Sequence, residues 1–286
     1  MAEYDNILFE KGEGFAIITL NRPKSLNAIN IKMWQELNHA LSVIDNDDEI
    51  GAFIFTGSPR PDGRPCFCAG GDVKEMSGFT SDGVLDESTD DVPANVTLTK
   101  PSGVKNFWAL RQPKAAMVPT FEHITWSPKI SIAAIDGICT AGGTEMALAC
   151  DLVVASETAQ ISDMHVKNLG WIGGAAGTAN MAWRVGVSKA IELCWTGDII
   201  DGEEAHRIGF ANQVWPSDQY LDKAKELAKK IGDMRLAAVI MTKATIRSVQ
   251  DMDRKSTLRY CDDGFATLLA EQDTADFGPQ RWVDQH

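Results

Sequence analysis

The residues of this chain best suited to proton chemistry lie in Gly142-Gly143-Thr144-Glu145-Met146-Ala147-Leu148-Ala149, where one carboxylate stands among apolar neighbours. An ionised group in such surroundings is costly unless it has partners. A glutamate in the first turn of a helix is also favoured by the macrodipole, so Glu145 could be a simple helix cap. The sharper reading is an acid/base beside an anion hole of backbone amides. Other signatures are incomplete. The run from Gly137 to Thr144 has the glycine spacing of a phosphate-binding loop without its lysine, and no Gly-x-Ser-x-Gly elbow occurs. Cys66 and Cys68 invite a metal reading, but no second Cys/His pair stands at a zinc-like spacing, so no metal is expected.

The elements that must carry Glu145 can be read around it. Ser131 to Ile135 and Leu152 to Ser156 are apolar runs flanking a glycine turn and a compact apolar segment, which gives strand, loop, buried helix, strand. Upstream, Ile7 to Phe9 and Phe15 to Leu20 form a hairpin pattern. Asn30 can cap a helix with Met33, Trp34, Leu37, Ala40, Leu41 and Ile44 on one face. Ala52 to Thr56 is a further strand. Residues 77–129 are the least regular part, and their aromatic half, with Phe107, Trp108, Phe121 and Trp126, could cover a pocket or pack as a helical excursion on a neighbouring subunit. Glu122 and His123 in that stretch could reach the pocket, though an exposed loop pair is the simpler expectation. After Gln160 to Asp163 comes a glycine cluster, Gly170 to Gly177, feeding a helix; it lacks the dinucleotide fingerprint. From Ser217 the pattern is helical. The plan is an α/β fold with parallel strands: a core over 1–215 with the irregular insertion at about 77–129, and a C-terminal helical region over 216–286.

Composition narrows the partners. A net charge of -13 repels polyanions, so nucleic acid is not expected. No run reaches the roughly 18 to 20 apolar residues that a bilayer span needs, and Met1-Ala-Glu-Tyr-Asp-Asn lacks signal-peptide character. The six cysteines are scattered mostly through apolar segments, as buried thiols in a reducing compartment would be. A cytoplasmic protein without membrane contact is expected.

Four linked motifs carry a resemblance. Asn21-Arg22-Pro23-Lys24-Ser25-Leu26-Asn27-Ala28, then Phe67-Cys68-Ala69-Gly70-Gly71-Asp72, then Asp136-Gly137 through Cys150-Asp151, then Thr196-Gly197-Asp198 with Glu203 to Ala205 and Ile208-Gly209 resemble the crotonase (enoyl-CoA hydratase/isomerase) superfamily in order and spacing. The resemblance implies a spiral of repeated ββα units whose C-terminal helices form a homotrimer or a dimer of trimers. It implies an acyl-CoA thioester substrate, as in fatty acid metabolism, with CoA as part of the substrate and no separate cofactor. It places the two oxyanion donors at Ala69 and Gly142, substrate-lining positions at Ala69, Gly70, Gly71, Asp72 and Gly142, and the border of the CoA nucleotide at Lys24, Asn27 and Ala28. Glycine or alanine at a donor position lets the backbone approach the oxygen.

Glu145 matches the first of two glutamates that bracket water in the hydratases. The second has no counterpart. Its place in Ile161-Ser-Asp-Met-His-Val-Lys-Asn-Leu-Gly170 falls on His165 if one extra residue is allowed, or on Val166 without a gap. His165 or Asp163 could replace it, since imidazole titrates near neutrality. Alternatively Glu145 alone could shuttle a proton between carbons, as an isomerase does, or activate water as an acyl-CoA hydrolase. Some relatives are RNA-binding or scaffold proteins, a role that calls for a basic stripe. The simplest expectation is hydration of a 2-enoyl-CoA, with Glu145 and His165 as the catalytic side chains.

Overall fold

The computed structural model describes residues 4–75 and 117–270. Phe107, Trp108 and most of the expected insertion lie outside the described residues. Strands β1 (Ile7–Lys11) and β2 (Phe15–Leu20) form the antiparallel hairpin expected, with Ile7 opposite Leu20. β2 then pairs in parallel with β3 (Ala52–Gly57), which is followed by the short β4 (Cys66–Cys68). The same pair of steps recurs twice, as β5 (Ile130–Ile135) with β6 (Ile138–Thr140) and as β7 (Leu152–Ser156) with β8 (Gln160–Ser162). Each of these turns of chain gives one strand to a six-stranded sheet ordered β1-β2-β3-β5-β7-β9 and one to a three-stranded parallel sheet ordered β4-β6-β8. The chain therefore advances as a spiral, and β9 (Gln213–Trp215) closes the large sheet.

Alternation along the central strands explains why the large sheet is covered on both faces. Ile18, Phe53, Phe55, Ala133, Ile135, Val153 and Ala155 point into one core, while Ile17, Ile54, Ile132, Ala134 and Val154 point into the other. A period of two is what a pleated strand imposes. Both sets being apolar is the mark of a buried parallel sheet. Helix α1 (Ile31–Asp45) packs on the first face, and the Asn30 side chain accepts from the Met33 amide at 2.9 Å, a cap that contributes about 1 kcal/mol.

The end of the expected irregular stretch is regular. Helix α2 (Met117–Trp126) packs on α1 of the same chain, with the Phe121 and Trp34 rings 5.1 Å apart. His123 meets Asp45 at 2.8 Å at the far end of α1. The Glu122-His123 segment therefore belongs to the α1–α2 packing and does not bring His123 to a pocket at Glu145.

Four helices surround the functional region and three more follow among the described residues. Helix α3 (Gly142–Ala149) is buried throughout; α4 (Gly177–Val185), α5 (Val187–Thr196) and α6 (Gly202–Arg207) follow in close succession. Helix α7 (Tyr220–Gly232) seals the second face of the sheet with Ala224 and Ala228, so this first C-terminal helix shares the sheet's hydrophobic layer. α8 (Leu236–Ser248) is tied to the core through Asp151, which accepts from Lys243 and from Arg247 at 2.7 Å each, and α9 (Arg254–Ala270) packs on α8. No helix among the described residues is long and apolar enough to cross a membrane.

Candidate active site

The first turn of α3 meets the turn after β4. Gly143 must be glycine because a Cβ there would stand 2.4 Å from the Cys68 carbonyl oxygen. The Thr144 hydroxyl binds the carbonyls of Cys139 and Ser162 at 2.9 and 2.8 Å, which pins the helix start to β6 and β8. Helix N-termini leave their first amides without intrahelical partners. Here the Gly142 amide has no acceptor among the described residues, nor has the Gly71 amide. The two are neighbours, since a Cβ on Gly142 would lie 3.2 Å from the Gly71 nitrogen. Ala69, the expected partner of Gly142, donates its amide to the Leu26 carbonyl at 3.0 Å, and Gly70 donates to the Cys68 sulfur at 3.3 Å. The free pair of donors is therefore Gly71 and Gly142.

The other expected binding residues divide. Asp72 accepts from Arg22 at 2.9 Å; burial alone would raise its pKa, but the Arg22 guanidinium and neighbouring amides hold it below the usual carboxylate range. Arg22 also donates to the Ala28 carbonyl. Asn27 is fully buried and donates to the Ser58 and Cys66 carbonyls at 2.8 and 2.9 Å while accepting the Arg22 amide. Its side chain is a strut inside the turn. Lys24 is exposed and Ala28 half-buried at the surface of that turn. Among the described residues the non-glycine positions with positive φ are Leu26, Asn27, Ala141, Ala175 and Ala176. All lie in loops that adjoin α3 or the β4 turn, and backbone strain of this kind collects at functional sites.

Glu145 is 4% exposed and its Oε1 is a buried oxygen with no hydrogen-bond partner. Burial pushes the carboxyl up to about 7, with nearby His165 opposing and Asp163 adding to the rise. Its methylenes and Oε1 rest against the glycine cluster: a Cβ on Gly177 would stand 2.6 Å from Glu145 Cγ and Oε1. His165 lies opposite, with Nε2 3.9 Å from Glu145 Oε2. Its Nδ1 is 2.6 Å from Asp163 Oδ1, which also accepts the His165 amide at 3.0 Å. Burial would lower the imidazole pKa, but the Asp163 hydrogen bond and the Glu145 and Asp163 charges raise it above its ordinary value. Cys194 on α5 donates to Asp163 Oδ2 at 3.4 Å.

The ambiguity between His165 and Val166 has a structural answer. Residues His165–Leu169 form a π-helical turn, a geometry that can accommodate one residue more than a regular turn. His165 is buried toward Glu145, whereas Val166 is 40% exposed. Among the described residues no group of three or more His, Cys, Asp or Glu side chains is arranged to hold a metal ion. Sequence reading missed Gly71 as a free donor, Gly177 as the floor beneath Glu145, and Cys194. The signal for Gly177 was the glycine cluster itself, which the dinucleotide test set aside without finding its use.

Comparison with known proteins agrees with this architecture. A family model described as enoyl-CoA hydratase/isomerase matches residues 10–99 and 108–286. The chain is 32% identical over 271 residues to a probable enoyl-CoA hydratase of Rhizobium meliloti, covering 94% of this chain and 92% of that protein. It is 30% identical to a short-chain-enoyl-CoA hydratase of Clostridium acetobutylicum, covering 96% and 93%. The crystal structure of an enoyl-CoA hydratase from Bacillus anthracis superposes with a TM-score of 0.81 at 28% identity, covering 99% of this chain and 97% of that one. With its α/β spiral of the crotonase type, the chain belongs to the enoyl-CoA hydratase/isomerase family.

Proposed function

We propose that the protein adds water across the double bond of a 2-enoyl-CoA. The observation that carries this reading is the approach of His165 Nε2 to within 3.9 Å of Glu145 Oε2, with both side chains buried. Hydration needs one group to take a proton from water and another to deliver one to the α-carbon. A single base suffices for double-bond migration, so a second buried titrating side chain facing the first favours hydration over isomerisation. The thioester oxygen would bind at the Gly71 and Gly142 amides, where the α3 N-terminus adds its positive end as enolate charge develops. Glu145 stands three residues beyond Gly142, on the same helical face, within reach of the carbons next to that oxygen. The Lys24 and Ala28 surface is the entry we assign to the CoA nucleotide, with Lys24 as the cation available to its phosphates.

CoA is then part of the substrate and no other cofactor is required. The chain charge of -13 disfavours the RNA-binding alternative. Exposed apolar side chains on α4 and α5, with Trp183, Val187, Ile191 and Trp195, and on α8 and α9, with Ile246, Leu258 and Phe265, support self-association, which we assign to a homotrimer or a dimer of trimers, and we assign the protein to the cytoplasm. Incubation with a panel of 2-enoyl-, 3-enoyl- and 3-oxoacyl-CoAs tests the reading, with mass spectrometry separating water gain, double-bond movement and free CoA. Saturable water gain is expected with a 2-enoyl-CoA. Double-bond movement or CoA release without water gain would replace it with one of the other chemistries.

A further inference from the structure

Asp163 accepts three hydrogen bonds, from the His165 ring at 2.6 Å, the His165 amide at 3.0 Å and the Cys194 thiol at 3.4 Å. Both carboxylate oxygens are engaged, so the group cannot turn away from the imidazole. A carboxylate can only accept, which requires the ring proton to sit on His165 Nδ1. In the neutral ring Nε2 is then a bare lone pair, and it is the nitrogen that faces Glu145. Resting on the hydratase reading above, we propose that Asp163 is a positioning residue that fixes this tautomer and thereby divides the proton work between two unlike groups: His165 takes the proton of water and Glu145 delivers a proton to the α-carbon.

The step balances without any further reactant. A water held between Nε2 and Glu145 loses a proton to Nε2 as its oxygen bonds to the β-carbon. The π electrons of the double bond move to the thioester oxygen at Gly71 and Gly142. When the enolate collapses, the α-carbon takes the hydroxyl proton of Glu145. The site is left with an imidazolium held by Asp163 and a Glu145 carboxylate 3.9 Å away, and return of the proton from Nε2 to Glu145 restores the starting pair. Direction follows from the surroundings. Asp163 stabilises a charged imidazole, whereas the buried Glu145, with Oε1 unpartnered, favours the neutral acid. The groups facing His165 are Glu145 from α3 and Asp163 from its own strand end; Cys194 from α5 faces Asp163, and its thiol, pushed up to about 12, stays protonated and serves as a donor.

The test is Asp163→Ala, read by turnover and by the His165 ring. Alanine offers Nδ1 no acceptor, so the ring loses the partner that holds its proton there, and a proton on Nε2 removes the base from the water. We expect kcat to fall by about 10²- to 10⁴-fold with KM changed little, the range typical of a lost proton-transfer group. Nitrogen NMR of the wild-type protein labelled at histidine should show Nδ1 protonated in neutral His165, and the Ala variant should lose that preference. The pH profile of kcat should also lose wild-type behaviour, its acid limb moving to lower pH as the imidazole loses its carboxylate. Asp163→Glu should recover part of the activity. Neutral wild-type His165 protonated at Nε2, or an Ala variant with turnover within about twofold of wild type, would overturn the proposal. Because the tautomer is measured without substrate, a failure of the hydratase reading leaves this outcome separately readable, and the wild-type spectrum decides the matter if the Ala variant does not fold.

Discussion

At one end of the candidate site the groups offered to a substrate are main-chain amides; at the other they are side chains. Gly71 and Gly142 are held by two β-strands, a buried helix and glycines that no side chain could replace, so their direction is fixed by the fold itself. Glu145, His165 and Asp163 are held by a π-helical turn, a glycine floor and hydrogen bonds among themselves. An anion hole built from backbone can keep its function through many side-chain changes. A proton relay built from side chains can change its chemistry with a single insertion. The two halves should therefore fail differently when altered.

The largest effect belongs to the side-chain half. Glu145→Gln keeps the volume and removes the proton, and kcat for hydration should drop by about 10³- to 10⁴-fold. Acyl-CoA binding, followed by thermal shift, should remain because the amides are untouched. Turnover within tenfold of wild type would show that Glu145 is not the proton carrier. Gly142→Ala probes the other half. The added methyl would stand 3.2 Å from the Gly71 nitrogen, in the space the thioester oxygen needs. A loss of about 10²-fold in kcat/KM is expected, the size seen when one oxyanion donor is removed. An unchanged kcat/KM would move the anion hole elsewhere.

The same division separates what the sequence revealed from what it hid. Strand alternation and the Asn30 cap are local patterns, and both appear where the residues put them. The glycine turns were visible as motifs. Which amide of the first turn is free was not, because that depends on Leu26, more than forty residues upstream, whose carbonyl takes the Ala69 N–H. Asn27 looked like a ligand contact because it sits in a motif, yet its amide is consumed by two distant carbonyls. His165 was legible only as one of two registers. What turns His165 and not Val166 toward Glu145 is a π-helical turn, a feature with no propensity signal strong enough to read in advance.

A smaller effect is expected from Gly177→Ala, which disturbs the side-chain half without replacing any titrating residue. A methyl 2.6 Å from Glu145 Cγ and Oε1 must displace the carboxylate. Small displacements of a reacting group cost up to about 10²-fold, and a side chain can yield where backbone cannot, so a loss of roughly tenfold in kcat is expected with KM retained. The result sharpens the comparison: equal losses in Gly142→Ala and Gly177→Ala would mean that the two halves are equally rigid. Steady-state kinetics on the two variants, measured side by side, decides this.

The last effect is on stability rather than turnover and rests on the burial of Glu145. Its pKa in the folded protein, about 7, lies above the ordinary 4.5, so the folded state binds the proton more tightly than the unfolded chain does. The stability this provides is fully present below about pH 4.5 and is lost as pH rises through about 7. Glu145→Gln cannot ionise and escapes that loss. Relative to wild type, the variant should therefore gain about 1 to 3 kcal/mol between pH 4.5 and pH 8, a few degrees or more in Tm for a chain of this size. Comparing the two pH values cancels any fixed cost of burying an amide. His165, whose pKa is also raised, contributes stability that is lost as pH rises, so the wild-type curve should fall further than Glu145 alone explains. Melting curves of both proteins across this range provide the check, and parallel curves would mean that Glu145 is ionised and solvated at neutral pH, leaving it unable to deliver a proton to carbon.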